Sequence, residues 1–145
     1  QNYQSNLDLQ KQQYKIFVQK KHSFIKYIIQ YYIIFTKKNM ELTKEQLVSK
    51  INAGEKMVVD FYSTTCGPCK MLKPIFEQLA NKLKENNSDV SLYTFNVQND
   101  VNYAVNEVGV RGVPTIKSYL NSKENETIVG LPSISELEGL VSALN

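Results

Sequence analysis

The run Met57-Val58-Val59-Asp60-Phe61-Tyr62 is the stretch that most narrows the fold. Met57, Val58, Val59 and Phe61 are apolar, without the alternation of a strand that keeps one face in water. The segment Lys56 to Tyr62 therefore reads as a strand covered on both faces, in the middle of an α/β sheet. Asp60 is the exception. Inside such a sheet a lone carboxylate is costly and its pKa rises; on a one-sided sheet it would face solvent instead. Directly after the strand comes Cys66-Gly67-Pro68-Cys69-Lys70, and then Met71 to Leu83, where Leu72, Ile75, Phe76, Leu79, Ala80 and Leu83 recur at helical spacing. Two cysteines separated by two residues at a strand-to-helix junction have both sulfurs on the first helical turn, where a small disulfide can close and reopen.

Composition weighs the uses open to those cysteines. A chain of 145 residues, 42% hydrophobic and 21% charged, has the values of one globular domain. At this length roughly two-thirds of the unfolded surface is buried, so the core needs no disulfide or structural metal. A zinc site would require ligands beyond Cys66 and Cys69, and the only histidine is His22, so no metal is expected. A Cys-His nucleophilic pair is excluded from residues 40–145 for the same reason. A purely structural disulfide closing so short a loop constrains the unfolded chain little. Redox chemistry uses both residues, and a CxxC in a compact α/β pattern points to an intracellular redox motif rather than a stapled secreted module.

The net charge of +3 conceals two different segments. Residues 1–39 hold seven lysines against Asp8, whereas residues 40–145 hold nine lysines and Arg111 against thirteen acids. The acidic part has no basic stripe, so nucleic-acid binding is set aside. Residues 1–39 lack Gly and Pro, and their most apolar run, Ile28 to Phe35, is flanked by Lys26 and by Lys37-Lys38. A spanning helix needs about 20 mostly apolar residues, so a membrane span is not expected. Thr36-Lys37-Lys38-Asn39 is a poor signal-cleavage site. The first methionine is Met40; residues 1–39 are read as an N-terminal extension, either upstream sequence read through or dispensable. An interfacial helix with lysines near anionic lipid is the other reading.

From Met40 the elements follow in the order α β α β α β β α. Thr43-Lys44-Glu45-Gln46 is a capping box for a short helix bearing Leu47, Val48 and Ile51 and capped by Gly54. After the first strand and the helix through Pro74, which should kink it, Val90 to Val97 reads as a strand. Asp100 caps a helix through Val101, Ala104, Val105 and Val108. The turn Val110 to Thr115 leads into a strand Thr115 to Tyr119, a hairpin-like loop Asn121 to Asn125 expected to be loose, and a last strand Glu126 to Val129. Ser133-Ile134-Ser135-Glu136 is a second capping box, for a helix with Leu137, Leu140, Val141 and Leu144. The expected sheet is mixed: parallel where a helix crosses over, antiparallel at the end.

Residues 40–145 resemble the thioredoxin family. Four features carry the resemblance: Val59-Asp60-Phe61, Cys66-Gly67-Pro68-Cys69-Lys70-Met71 with Pro74 beyond, Arg111-Gly112-Val113-Pro114-Thr115, and Gly130. It implies an α/β thioredoxin fold, a central mixed sheet of four to five strands flanked by helices. It makes Cys66 the nucleophile, Cys69 the resolving thiol and Asp60 the buried carboxylate that takes the proton of Cys69. Gly67, Pro68 and Lys70 complete the active-site loop, and Thr65, Gly112, Val113 and Pro114 face the substrate, with Val113-Pro114 as a cis-proline loop. Departures stand at Thr65 and Tyr62, frequent tryptophan positions, at Gln98, where an acid is common, and at Thr94, where some members carry a lysine near the buried carboxylate.

The activity so implied is a protein-disulfide reductase acting by dithiol–disulfide exchange. The resemblance implies no bound cofactor, electrons from NADPH through a thioredoxin reductase, disulfide-containing proteins as substrates, a monomer, and a cytoplasmic setting. Two alternatives stand beside it: a secretory-pathway oxidase or isomerase, which glycans at Asn86 or Asn125 would favour, and a thioredoxin-like binding subunit whose thiols are not essential.

Overall fold

The computed structural model describes residues 12, 13, 15, 16, 18–30 and 40–145. The chain divides into two units, Gln1–Lys38 and Asn39–Asn145. In the first, residues 18–30 are helical; beyond residue 30, the apolar run to Phe35 and the Lys37-Lys38 flank lie outside the described residues. No helix among the described residues is long and apolar enough to cross a membrane.

The second unit runs α1 (Lys44–Asn52), β1 (Met57–Tyr62), α2 (Gly67–Glu85), β2 (Ser91–Asn96), a 3-10 turn (Val97–Asn99), a π turn (Tyr103–Glu107), β3 (Thr115–Leu120), β4 (Lys123–Val129) and α3 (Ile134–Ser142). The four strands form one sheet in the order β2-β1-β3-β4. β1 pairs in parallel with β2 across the α2 crossover and antiparallel with β3, which in turn pairs antiparallel with β4. The apolar run of β1 is thus central and buried. Val58 faces a core built with Leu72 and Phe76 of α2 and Leu137 and Leu140 of α3. Met57, Val59 and Phe61 face the opposite core, with Leu47 of α1, Phe95 and Tyr103. Each fully buried side chain of this kind contributes about 1.5–3 kcal/mol. The free edge of β2 is covered by residues 40–42: Leu42 N–H donates to Thr94 O at 2.9 Å and Thr94 N–H to Met40 O at 2.8 Å.

Both capping boxes form, with Thr43 and Gln46 and with Ser133 and Glu136 exchanging bonds. Gly54 ends α1 as expected, in the left-handed conformation at φ 73° directly after the C-cap Ala53. Two local expectations change. The helix after Asp100 turns on Tyr103 and Ala104, with Val101 exposed. Asp100 Oδ1 does accept from Tyr103 N–H at 2.9 Å, but Val108 N–H then reaches Tyr103 O, and this wider turn puts the apolar stripe out of phase. The hairpin expected over Asn121 to Asn125 forms, but on a tighter turn than expected. Asn121 and Ser122 both take positive φ, 52° and 65°, as a two-residue turn matched to strand twist requires. β4 therefore begins at Lys123, and Ser122 Oγ donates to Asn52 O at 3.2 Å.

Candidate active site

Cys66 ends the loop after β1 and is the N-cap of α2. Its backbone is extended, at φ −85° and ψ 116°, and its Sγ accepts the Cys69 N–H at 3.1 Å. Pro68, at the second helical position, withdraws an N–H that would have had no partner in the helix. The sulfur of Cys66 thus sits at the positive end of a 19-residue helix, where unpaired N–H groups and the helix dipole favour an anion. Cys66 and Cys69 are joined as a disulfide, with their Cα atoms 5.2 Å apart. Their surroundings differ. Cys66 is half-buried between the exposed Thr65 and Gly67, while Cys69 is only 4% exposed, on the side of α2 that carries Leu72 and Phe76 into the core. Pro68 and Lys70 are exposed beside them.

The Val113-Pro114 peptide is cis, and the Val113 carbonyl oxygen lies 3.6 Å from Cys66 Sγ. Two bonds hold this turn. Thr115 Oγ1 donates to Gly112 O at 2.6 Å, and Gly130 N–H donates to Pro114 O at 2.8 Å. Pro114 is buried, whereas Gly112 is exposed and Val113 half-buried, so the Val113 carbonyl borders the sulfur next to an exposed stretch of chain.

Asp60 is buried in β1, 3% exposed. Strand alternation puts it on the same face of β1 as Val58, the face that α2 covers. Its strand neighbours in register are Thr94 and Ile116, neither of which brings a charge. Oδ1 has no hydrogen-bond partner among the described residues. Burial alone raises this carboxyl to about 7, since nothing nearby compensates the ionised form. Tyr62, at the end of β1, donates to Glu41 Oε1 at 3.0 Å; burial, with that carboxylate adding to it, pushes its hydroxyl up to about 12.

The fold brings Cys66, Cys69 and the Val113-Pro114 turn together, with the exposed Gly112 and Thr65 next to them in the chain; Asp60 is buried on the face of β1 that α2 covers. Gly130 was legible as a break, but its bond to Pro114 depends on the β3–β4 pairing. Thr64, which donates to Gln98, carries no sequence signal.

The thioredoxin family model matches residues 38–143. The chain belongs to the thioredoxin family. It is 37% identical over 82 residues to the thioredoxin of Malassezia sympodialis, covering 56% of this chain and 75% of that protein. With the thioredoxin of Mycoplasmoides gallisepticum it shares 35% identity over 102 residues, 68% of this chain and 93% of the relative. The oxidised form of mitochondrial thioredoxin 3 from Saccharomyces cerevisiae matches with a TM-score of 0.63 at 28% identity, over 72% of this chain and 94% of that one. A thioredoxin-family domain with its CxxC pair closed as a disulfide is a protein dithiol–disulfide oxidoreductase, and disulfide-containing proteins are the substrates of that family.

Proposed function

We propose that this thioredoxin-family domain works as a reductant, with Cys66 attacking and Cys69 resolving. The unequal exposure of the two sulfurs, one bordering solvent at the helix N-terminus and the other inside, carries this reading. In the reduced protein the Cys66 thiolate attacks one sulfur of a target disulfide. The Cys66–target bond forms, the target disulfide breaks, and the target's second sulfur leaves as a thiolate that takes a proton. Cys69, deprotonated by Asp60, then attacks Cys66 Sγ. The Cys66–Cys69 bond forms, the mixed disulfide breaks, and the target has gained two electrons and two protons. The Gly112-Val113 backbone and Thr65 hold the target chain against Cys66, and Gly67, Pro68 and Lys70 shape the exposed side of the loop.

Electrons return from NADPH through a thioredoxin reductase. Both faces of the sheet are covered within Asn39–Asn145, which supports action as a monomer, and a reducing compartment such as the cytoplasm suits a dithiol carrier. The test is NADPH-coupled insulin reduction with a thioredoxin reductase, comparing the chain with its Cys66→Ser variant. Turnover should fall to the uncatalysed rate in the variant; equal turnover in the two proteins removes Cys66 from its role.

A further inference from the structure

The segment Ser63-Thr64-Thr65 carries the chain from β1 to Cys66 and belongs to neither strand nor helix. Thr64 and Thr65 are exposed. Among the described residues, one side chain from elsewhere bonds to the segment. Gln98 Oε1 accepts twice from Thr64, from its N–H at 2.9 Å and from its hydroxyl at 2.7 Å. The backbone of Gln98 is held as well, its main-chain N–H donating to Asn96 Oδ1 at 3.0 Å. The last pair of the β1–β2 ladder is Tyr62 with Asn96. Thr64 and Gln98 each lie two residues past that pair, so a side chain prolongs the ladder where the backbone pairing has stopped.

We propose that Thr64 and Gln98 form a positioning clamp that presents Thr65 and Cys66 to protein disulfides in one pose and thereby sets affinity for protein targets. This rests on the reductase reading above. A loop already ordered in the free protein need not be ordered when a target docks, and ordering is among the main costs of association. The clamp leaves the sulfur chemistry alone. The Cys66 thiolate owes its stabilisation to the Cys69 N–H and the start of α2, which neither Thr64 nor Gln98 supplies. The expected signature is an effect on KM with little effect on kcat. A merely stabilising pair of surface hydrogen bonds would shift the unfolding midpoint and leave KM where it was.

The test uses the full chain, insulin as the protein disulfide and dithiothreitol as reductant. Gln98→Ala removes both bonds, Thr64→Val removes the hydroxyl donor and keeps the N–H, and Gln98→Glu keeps an acceptor oxygen at the same reach. In Gln98→Ala, amide exchange at Thr64 in the oxidised protein should quicken about tenfold. KM for insulin should rise about three- to tenfold, with kcat changed less than about twofold. Combining Gln98→Ala with Thr64→Val should add nothing to Gln98→Ala alone, because the hydroxyl has already lost its acceptor. Gln98→Glu should recover most of the KM. The pH midpoint of Cys66 alkylation by iodoacetamide should be the same in Gln98→Ala as in the parent. Unchanged exchange at Thr64, an unmoved KM, additive effects in the double variant, or a lowered kcat with a displaced alkylation midpoint would each overturn the clamp. Failure of the parent chain to reduce insulin would count against the reductase reading, and the exchange measurement would still decide whether the clamp exists.

Discussion

Asp60 offers the sharpest quantitative test. Its carboxyl titrates at about 7 in the folded protein against an ordinary value of 3.8, and each unit of difference is worth about 1.4 kcal/mol. An acid whose pKa is higher folded than unfolded lets the unfolded chain lose its proton first. Between pH 3.8 and 7 the native state therefore binds more protons than the unfolded one, and stability falls as pH rises. The full penalty, about 4 kcal/mol, is reached above pH 7 and is absent in acid. Asp60→Asn removes this titration while keeping the side chain's shape. Urea unfolding of the oxidised protein, with Cys66 and Cys69 joined, isolates it from any thiol titration. The two proteins share every other ionisable group, so only the difference between them matters. The stability of the Asp60→Asn variant relative to its parent should increase by about 2–3 kcal/mol from about pH 5 to about pH 8.5. A difference that stays flat within about 0.5 kcal/mol over that range would mean that Asp60 is ionised in the native state at ordinary acidity, and the account of its burial would be wrong.

Replacing Cys69 with Ser should trap targets on Cys66, since the first attack survives and the resolving one does not; recovery of no dithiothreitol-sensitive adducts on non-reducing gels would refute the two-thiol order. Gly130→Ala should destabilise the domain by about 1–3 kcal/mol, a purely backbone effect, because φ there is 91° and nothing lies within 4 Å of an added Cβ. Urea midpoints measure it, and an unaffected midpoint would show that the turn relaxes freely.

What was legible in the sequence was local. The covered strand Met57 to Tyr62, the helix stripe from Leu72 to Leu83 and the two capping boxes are each specified by residues within one element, and each formed. The N-cap position of Cys66 could be read in the same way, from a strand, a loop and a helix in succession. The misreadings are of turn geometry. Asn121-Ser122 has no glycine, yet both residues adopt positive φ because a two-residue connection between paired strands leaves little else. The stripe at Val101, Ala104, Val105 and Val108 assumed a period of 3.6, and the bond from Val108 to Tyr103 alters it. Features set by strand register were out of reach: Thr64 meets Gln98 across 34 residues, and residues 40–42 meet Thr94 because β2 lies at the edge of the sheet.

Register also explains why a destabilising carboxylate suits the place it occupies. Cys69 is shielded from water. The field at the start of α2 serves the sulfur of Cys66, which accepts the Cys69 N–H; in the proposed mechanism the base for Cys69 is Asp60. A carboxylate at its ordinary pKa would be a weak base, whereas one held at about 7 is ionised to a useful degree near neutrality while binding a proton far more strongly. The neutral Thr94 paired with it matters here, because a cation at that register would stabilise the ionised form and draw the pKa down. In the proposed mechanism, the base strength available to Cys69 and the stability lost on ionising Asp60 are therefore two readings of one desolvation energy. A substitution that relieves the second necessarily weakens the first.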